Sequence, residues 1–139
     1  NLEILIDSIG QGAGVFDRCQ ELGMPVRAVN VSESPSMKET YLNLRAELWF
    51  RMKAWLENRT CKIPQNDRLL SELTSLKYTF TSSGKIKAES KQELKKRGFN
   101  SPDLADSLAL TFASDPATAM SGAFKPFRGE LRRNLQGIA

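Results

Sequence analysis

The first third of the chain alternates short apolar runs with a glycine-rich stretch and an amphipathic segment. Residues 2–7, LEILID, form an apolar run that predicts a buried strand ending in Asp7. The stretch SIGQGAG predicts a tight turn, and residues 15–22, VFDRCQEL, then predict a helix that ends at Gly23. Residues 25–31, PVRAVNV, predict a second strand. A strand, helix and strand within about 30 residues indicate parallel strands joined by a right-handed crossover.

The middle of the chain carries the clearest helical pattern. Residues 41–60, YLNLRAELWFRMKAWLENRT, place apolar side chains at spacings of four, four and three, which puts them on one helix face. These side chains are Leu44, Leu48, Met52 and Trp55. The segment CKIP is predicted to interrupt the helix. Residues 65–76, QNDRLLSELTSL, predict a shorter helix with Asn66 or Asp67 as its N-cap.

Residues 77–90, KYTFTSSGKIKAES, alternate around a Ser-Ser-Gly stretch, which is typical of a β-hairpin. Residues 90–98, SKQELKKRG, predict a short basic helix that Gly98 ends. Within it, Glu93 and Arg97 have the spacing of an ordinary ion pair between successive helical turns.

The final predicted helix opens at Ser101 as N-cap, with Pro102 in the first helical position. It runs to about Ala113 and is expected to turn one apolar stripe to the core. This stripe consists of Leu104, Leu108 and Phe112. Residues 115–139 have no sustained period and are predicted to form a flexible basic tail, which leaves residues 1–114 as one folded domain.

Composition excludes several kinds of chemistry. The 139 residues are 40% hydrophobic and 26% charged, as expected for one globular domain, and no run of about 18 apolar residues predicts a membrane span. The N-terminal residues lack the pattern of a signal peptide. Cys19 and Cys61 fit no metal-binding spacing and are predicted to be buried, reduced thiols. Because the chain has no histidine, it cannot supply a Ser-His-Asp triad or imidazole-bound zinc. Any hydrolytic chemistry must therefore use carboxylates, lysines or oxygen-bound cations such as magnesium or manganese.

Asp7 is the first candidate for such chemistry. It lies at the carboxyl end of a predicted strand, the edge at which ligands of open α/β sheets bind. The alternative is structural, because aspartates in such positions commonly accept hydrogen bonds from turn amides. The glycines at positions 10, 12 and 14 fit neither the dinucleotide fingerprint nor a P-loop. We interpret them as allowing the backbone to fold closely over the site of Asp7.

Asp103 and Asp106 form the second candidate. They are three residues apart on the final predicted helix and therefore project from one side, with no basic residue in the stretch 101–110. The helix dipole stabilises an acid in the first turn, which accounts for Asp103. Asp106 lies one turn further along, where this stabilisation is small. A divalent cation shared by both would turn their repulsion into attraction. Purely structural roles are the alternative.

A basic hairpin and helix could face an anionic partner. Residues 85–97 contain six cationic side chains and only two acidic ones, Glu89 and Glu93. The cationic side chains are Lys85, Lys87, Lys91, Lys95, Lys96 and Arg97. Such runs are commonly solvated surface, but a net charge of +4 permits binding to a phosphate backbone. Basic side chains beside an acidic metal site are what a nuclease needs.

Two segments, taken together, point to a known family. Residues 4–31, ILIDSIGQGAGVFDRCQELGMPVRAVNV, resemble the second acidic strand and following helix of the nuclease domain of phage terminase large subunits. Residues 84–113, GKIKAESKQELKKRGFNSPDLADSLALTFA, resemble that domain's last hairpin and helix, including a Ser-Pro-Asp-x-x-Asp element. The resemblance extends to about residue 114.

This resemblance implies an α/β fold of the RNase H-like class, a mixed sheet flanked by helices, related to Holliday-junction resolvases of the RuvC type. It implies an endonuclease that cuts concatemeric double-stranded DNA during bacteriophage or prophage packaging. The implied mechanism is two-metal hydrolysis with magnesium or manganese, in which one metal activates water and the other stabilises the leaving oxygen. By position, Asp7, Asp103 and Asp106 are the implied metal-binding and catalytic acids. Asp103 is either a further ligand or a group that supports the ligands, and the resemblance leaves open which of Asp103 and Asp106 binds the metal directly. The implied partners are the terminase small subunit and portal, in the host bacterial cytoplasm and away from membranes.

The family's first catalytic acid lies on a strand ahead of the region that this chain resembles. We therefore expect an incomplete version of the fold, with little or no nuclease activity alone and with exposed sheet edges that are covered by self-association. Glu3 is not expected to replace the missing acid. One alternative is a non-catalytic DNA-binding or packaging-assembly fragment with structural aspartates. Another is a nucleotide-binding α/β domain that uses the glycine turn.

Overall fold

Two small sheets and five helices make up the described part of the chain, residues 3–59 and 61–113 of a computed structural model. The strands are β1 (Ile4–Asp7), β2 (Val26–Val29), β3 (Tyr78–Phe80) and β4 (Ile86–Ala88). The helices are α1 (Gln11–Glu21), α2 (Leu44–Glu57), α3 (Asp67–Ser75), α4 (Lys91–Lys96) and α5 (Asp103–Leu110), with a 3₁₀ turn at Thr111–Ala113. The basic tail predicted for residues 115–139 lies outside the described residues.

The predicted strand–helix–strand unit is confirmed. β1 and β2 are parallel, with Asp7 opposite Val29, and α1 contacts both strands. β3 and β4 form the predicted antiparallel hairpin, with Thr79 opposite Lys87. The described strands thus include a parallel and an antiparallel pair flanked by helices, which confirms the α/β class, and they form two separate two-stranded sheets.

Helix α1 begins at Gln11, four residues earlier than the sequence pattern predicts, so that Gly12 lies in its first turn. A Cβ atom at Gly12 would stand 1.7 Å from the backbone oxygen of Asp7, which no side chain could tolerate. Glycine therefore allows α1 to start directly against the end of β1. The helix ends as predicted at Gly23, whose φ of 70° is in the left-handed region.

Helix α2 carries the main core. Leu48 and Met52, two members of the predicted stripe, are 1% and 2% exposed and pack with residues of α3 and α5. The N-cap of α2 is Asn43, whose side chain accepts a hydrogen bond from the Ala46 N–H at 3.0 Å. Asn66 caps α3 in the same way, which decides between the two predicted candidates.

Helix α5 differs from the prediction at its N-terminus and on its buried side. Pro102, not Ser101, is the N-cap residue, and no side chain of the cap itself bonds to the helix. Ala105 and Ala109 form the fully buried face, because small side chains let α5 approach α2 and α3 closely. Of the predicted stripe, Leu108 and Phe112 are half-buried against this core, and Leu104 is exposed.

The short helix α4 has a complete capping box. The Ser90 hydroxyl accepts from the Glu93 N–H at 3.2 Å, and the Glu93 carboxylate accepts from the Ser90 N–H at 2.7 Å. The predicted pair of Glu93 with Arg97 is wrong, because Glu93 turns back to the cap and Arg97 binds Glu89 instead. Gly98, with a φ of 84°, ends the helix as predicted.

Cys19 and Cys61 are free thiols, half-buried rather than fully buried. Within residues 3–59 and 61–113, no helix is both long and apolar enough to cross a lipid bilayer.

Candidate functional site

A groove of about 650 Å³ opens beside the carboxyl end of β1, the first turns of α2, strand β4 and helix α5. Its lining includes apolar side chains and six charged ones. The charged side chains are Asp7, Arg45, Lys87, Lys91, Asp103 and Asp106. β1 and α5 are in contact, so carboxylates from opposite ends of the described chain line one groove.

Asp106 is the most constrained of the three acids. Its Oδ1 accepts a hydrogen bond from the indole Nε1 of Trp49 at 2.8 Å and from Nη2 of Arg45 at 3.2 Å. Trp49 and Arg45 lie one turn apart on α2, and the Arg45 guanidinium stands 5.9 Å from the Trp49 ring centre. Two donors from one helix thus fix the orientation of a carboxylate that is only 22% exposed.

The second oxygen of Asp106 has different surroundings. Oδ2 is buried and accepts no hydrogen bond from any described residue, although the Lys91 ammonium lies 3.4 Å away. The Lys91 charge offsets part of the cost of burying this acceptor without a hydrogen bond. A hard cation such as Mg²⁺ or Mn²⁺ satisfies such an oxygen directly, because these ions prefer carboxylate ligands.

Asp7 is half-buried at the carboxyl end of β1. Its Oδ1 accepts from the Ile9 N–H at 3.1 Å, which is the turn contact expected of a structural aspartate. Among the described residues, no hydrogen bond occupies the other oxygen, Oδ2. Glu3 forms an ion pair with Arg27 at 3.1 Å and is not part of the groove lining.

Asp103 differs from Asp106 in exposure and in partner. Its side chain is 63% exposed, and the Arg68 guanidinium lies 3.6 Å from Oδ2. Neither acid is without a cation, because Arg68, Arg45 and Lys91 reach them from outside the stretch 101–110. The repulsion expected from sequence spacing is therefore offset by residues that are distant along the chain.

Glu72 of α3 holds the helix that carries both acids. It is 8% exposed, and its Oε2 accepts from the N–H groups of Leu104 and Ala105 at 2.7 and 3.0 Å. Its Oε1 accepts from Nε of Arg68 at 2.8 Å. The negative charge lies at the positive end of the α5 dipole and supplies the cap that Pro102 cannot provide.

Glu47, which is 0% exposed, is the other buried acid among the described residues, and its hydrogen bonds are structural. One oxygen accepts from the Ser36 N–H at 2.6 Å, and the other accepts from Nη2 of Arg51 at 2.5 Å. Arg51 also donates to the Phe112 carbonyl at 3.2 Å, which ties the loop after β2 and the end of α5 to α2. Burial raises the pKa of the neighbouring Tyr41, and the Glu47 charge raises it further.

The six predicted cationic residues separate into three groups. Lys87 and Lys91 line the groove, and Lys91 and Lys95 line a second cavity. Arg97 is occupied by two bonds of 2.6 Å to Glu89 and one of 2.7 Å to the Ser75 carbonyl. These contacts lower the pKa of Glu89 and raise that of Arg97. Lys85 and Lys96 line neither cavity.

Sequence reasoning did not identify Arg45, Trp49 or Glu72 as site residues. Glu72 falls three residues after Leu69, on the buried face of an amphipathic helix, and an acid in that position is a detectable signal. Arg45 and Trp49 are spaced by one helical turn on α2, but nothing in the sequence connects them to Asp106.

The carboxylates fit a metal site only in part. Asp106 offers a fixed, buried oxygen without a hydrogen bond, and Asp7 lines the same groove. Within residues 3–59 and 61–113, however, no three Asp, Glu, Cys or His side chains are grouped closely enough to hold an ion. The described residues therefore do not by themselves bring together the larger set of carboxylates that a pair of cations needs.

The chain matches no protein-family profile and no curated protein. It does match solved structures, among them the nuclease domain of the large terminase subunit gp2 of bacterial virus Sf6, with 24% identity and a TM-score of 0.62. A point mutant of that domain with manganese and beta-thujaplicinol matches with 23% identity and a TM-score of 0.63. A mutant form with calcium matches with 24% identity and a TM-score of 0.63.

Each of these matches covers 77% of this chain and 63% of the solved chain. The chain thus spans less than two thirds of the length of these neighbours. At this level of identity the likeness establishes the fold. The predicted resemblance is confirmed at that level, because the matched part of the chain shares the α/β fold of these terminase nuclease domains.

Proposed function

We propose that the chain is part of the nuclease of a phage or prophage DNA-packaging terminase, which cuts double-stranded DNA with the help of a divalent cation. The observation that supports this proposal is that Asp7 and Asp106 line the same groove. Asp106 is oriented by two donors and keeps a buried oxygen without a hydrogen bond. Two of the terminase nuclease structures reported above contain manganese or calcium, which supports a divalent cation.

In this proposal Asp7 and Asp106 hold the cation, and Asp103 contributes negative charge from the more exposed rim. When bound, the cation supplies Lewis-acid activation for phosphodiester hydrolysis. Trp49 and Arg45 keep the Asp106 carboxylate in one orientation. Lys91 neutralises Oδ2 of Asp106 in the absence of a cation and, with Lys87, attracts the phosphate backbone.

A two-metal site requires more carboxylates than the described residues bring together. We expect this chain alone to bind one divalent ion weakly and to cut plasmid DNA little or not at all with Mn²⁺. A further acid from elsewhere in the assembly would complete the two-metal site. Robust manganese-dependent cutting by the chain alone would contradict this expectation.

The assembly context also belongs to the proposal. The partners are double-stranded DNA, the terminase small subunit and the portal, in the host cytoplasm. Within the described residues, β1 and β2 pair only with each other, so each has an outer edge that a further strand could join. These edges support self-association or pairing within a larger assembly.

A second candidate function is a non-catalytic DNA-binding or packaging-assembly role. It is favoured by the turn contact of Asp7 and by the ion pairs of Asp106 with Arg45 and Lys91. Under this alternative the aspartates only stabilise the fold. The nucleotide-binding alternative loses its main support, because Gly12 is needed for packing of α1 against Asp7.

Calorimetric titration with Mn²⁺ separates the two candidates. We expect one Mn²⁺ per chain, with affinity reduced at least about tenfold, or 1.4 kcal/mol, by Asp7→Asn or Asp106→Asn. Asp17→Asn is the matched control, because Asp17 is an exposed aspartate outside the groove. Absence of Mn²⁺ binding, or affinity that neither substitution changes, together with retained DNA binding would favour the non-catalytic role.

A further inference from the structure

A second cavity, of about 780 Å³, shares Lys91 and Asp103 with the groove. Its remaining lining comes from α3, α4 and the loop before α5. These residues are Arg68, Gln92, Lys95, Asn100 and Ser101. Because two side chains belong to both cavities, the second cavity, here called the basic basin, continues directly from the groove.

The charges of the basic basin are predominantly positive. Arg68, Lys91 and Lys95 are opposed by the single carboxylate of Asp103. Lys95 is exposed and has no ion pair among the described residues. The other lining residues, Gln92, Asn100 and Ser101, provide neutral amide and hydroxyl donors.

Arg68 distinguishes the basin from an ordinary solvated charge run. Its Nε donates to the buried Glu72 carboxylate at 2.8 Å, yet its side chain stays 62% exposed. The guanidinium is therefore held between Glu72 and Asp103, while much of the side chain remains accessible. A positioned guanidinium beside flexible ammonium groups is well suited to binding phosphate oxygens.

Lys91 and Lys95 add a directional element. They lie one turn apart on α4 and so project from the same side of the helix, with an axial separation of about 6 Å. One of them reaches the Asp106 carboxylate in the groove, and the other lies only in the basin. The two lysines thus extend the positive charge from the Asp106 carboxylate into the basic basin.

We propose that the basic basin binds backbone phosphates of duplex DNA next to the phosphate that enters the groove. Arg68 and Lys95 are the principal contacts, and they set the path along which the backbone approaches Asp7 and Asp106. This inference rests on the proposed function, because it takes DNA as the substrate of the groove. It adds a binding site that the metal-binding carboxylates do not require.

The test is fluorescence anisotropy with a short labelled duplex in EDTA, measured over a range of salt concentrations. Loss of one phosphate contact lowers the slope of log Kd against log salt by about 0.9. We expect Lys95→Gln and Arg68→Gln each to lower the slope by this amount. Lys62→Gln, an exposed lysine outside both cavities, is the control and should leave the slope unchanged.

The Lys95 side chain makes no hydrogen bond or ion pair within residues 3–59 and 61–113, so Lys95→Gln should leave the fold intact, whereas Arg68→Gln also loses a bond to Glu72. Thermal melting of both variants therefore accompanies the binding data. Wild-type slopes in both folded variants, or no duplex binding by the unmodified chain, would overturn the proposal.

The EDTA condition separates this inference from the nuclease proposal. A lowered slope in Lys95→Gln, combined with absence of Mn²⁺ binding, would support the proposed role of the basic basin and contradict the proposed metal site. Mn²⁺ binding that depends on Asp106, combined with an unchanged slope, would do the reverse.

Discussion

The indole N–H of Trp49 donates a hydrogen bond of 2.8 Å to Oδ1 of Asp106. Trp49 is 8% exposed and belongs to the core cluster around α2, and both side chains line the groove. The orientation of the candidate metal ligand is therefore set by the packing of the core. The other oxygen of Asp106, Oδ2, remains the acceptor that a cation can use.

Trp49→Phe tests this relationship, because it keeps an aromatic ring in the core and removes the donor. Hydrogen bonds to charged groups contribute about 1.5–3 kcal/mol, so we expect a loss of stability within that range. The freed carboxylate should also bind Mn²⁺ less tightly. Urea unfolding and calorimetry measure the two effects, and unchanged values in both would show that the bond does not orient Asp106.

Glu72 makes a separate prediction about the start of α5. Glu72→Ala leaves the N–H groups of Leu104 and Ala105 without their acceptor, which should cost about 1–3 kcal/mol of unfolding free energy. Glu72→Gln keeps an amide oxygen and should retain more of the stability. Glu21→Ala, at an exposed ion pair on α1, is the control and should change stability by less than about 1 kcal/mol. Equal effects of the two alanine substitutions would refute the capping role.

Under the proposed function, we expect Lys91 to compete with a bound cation for Asp106. Its ammonium lies 3.4 Å from Oδ2, and such a charge pair contributes about 1 kcal/mol in water. Lys91→Ala should therefore raise Mn²⁺ affinity about fivefold while weakening DNA binding. Lys96→Ala, on the same helix but outside the groove, should leave Mn²⁺ affinity unchanged. Lower Mn²⁺ affinity in Lys91→Ala would contradict the competition.

Acid should weaken the cap of α4 within a defined pH window. Hydrogen bonds from the Ser90 N–H and hydroxyl lower the pKa of Glu93 from 4.5 to about 2. A folded-state pKa below the unfolded value stabilises the fold above about pH 5, and this contribution is lost as the pH falls toward 2. The difference in unfolding free energy between wild type and Glu93→Gln should shrink over that range, as followed by circular dichroism. A constant difference from pH 7 to pH 2 would be the contrary result.

Local patterns predicted much of this structure, because the features concerned are set by neighbouring residues. Asp7 ends a strand, Asn66 caps α3 and Gly98 ends α4, and each depends on only a few residues along the chain. The sequence pattern misplaces the start of α1. Glycine is required at position 12 by the close approach of the Asp7 backbone, and this contact across the turn is not visible in the sequence.

The environment of the acids depends on long-range packing and was not predictable in this way. Trp49 reaches Asp106, and Glu72 caps α5, only because α2 and α3 both pack against α5. Ser101 has the sequence of a helix cap, but the acceptor from Glu72 takes its place. A single helical pattern contains no information about the angle at which another helix will pack.

The central claim is that one divalent cation is held by Asp7 and Asp106 together. Paramagnetic broadening of backbone amide signals by substoichiometric Mn²⁺ tests it most directly, because the effect depends on distance from the ion. We predict that signals near residue 7 and near residue 106 broaden first and in parallel, and that Asp106→Asn abolishes both effects. Broadening confined to one of these segments, or centred elsewhere on the chain, would contradict the claim.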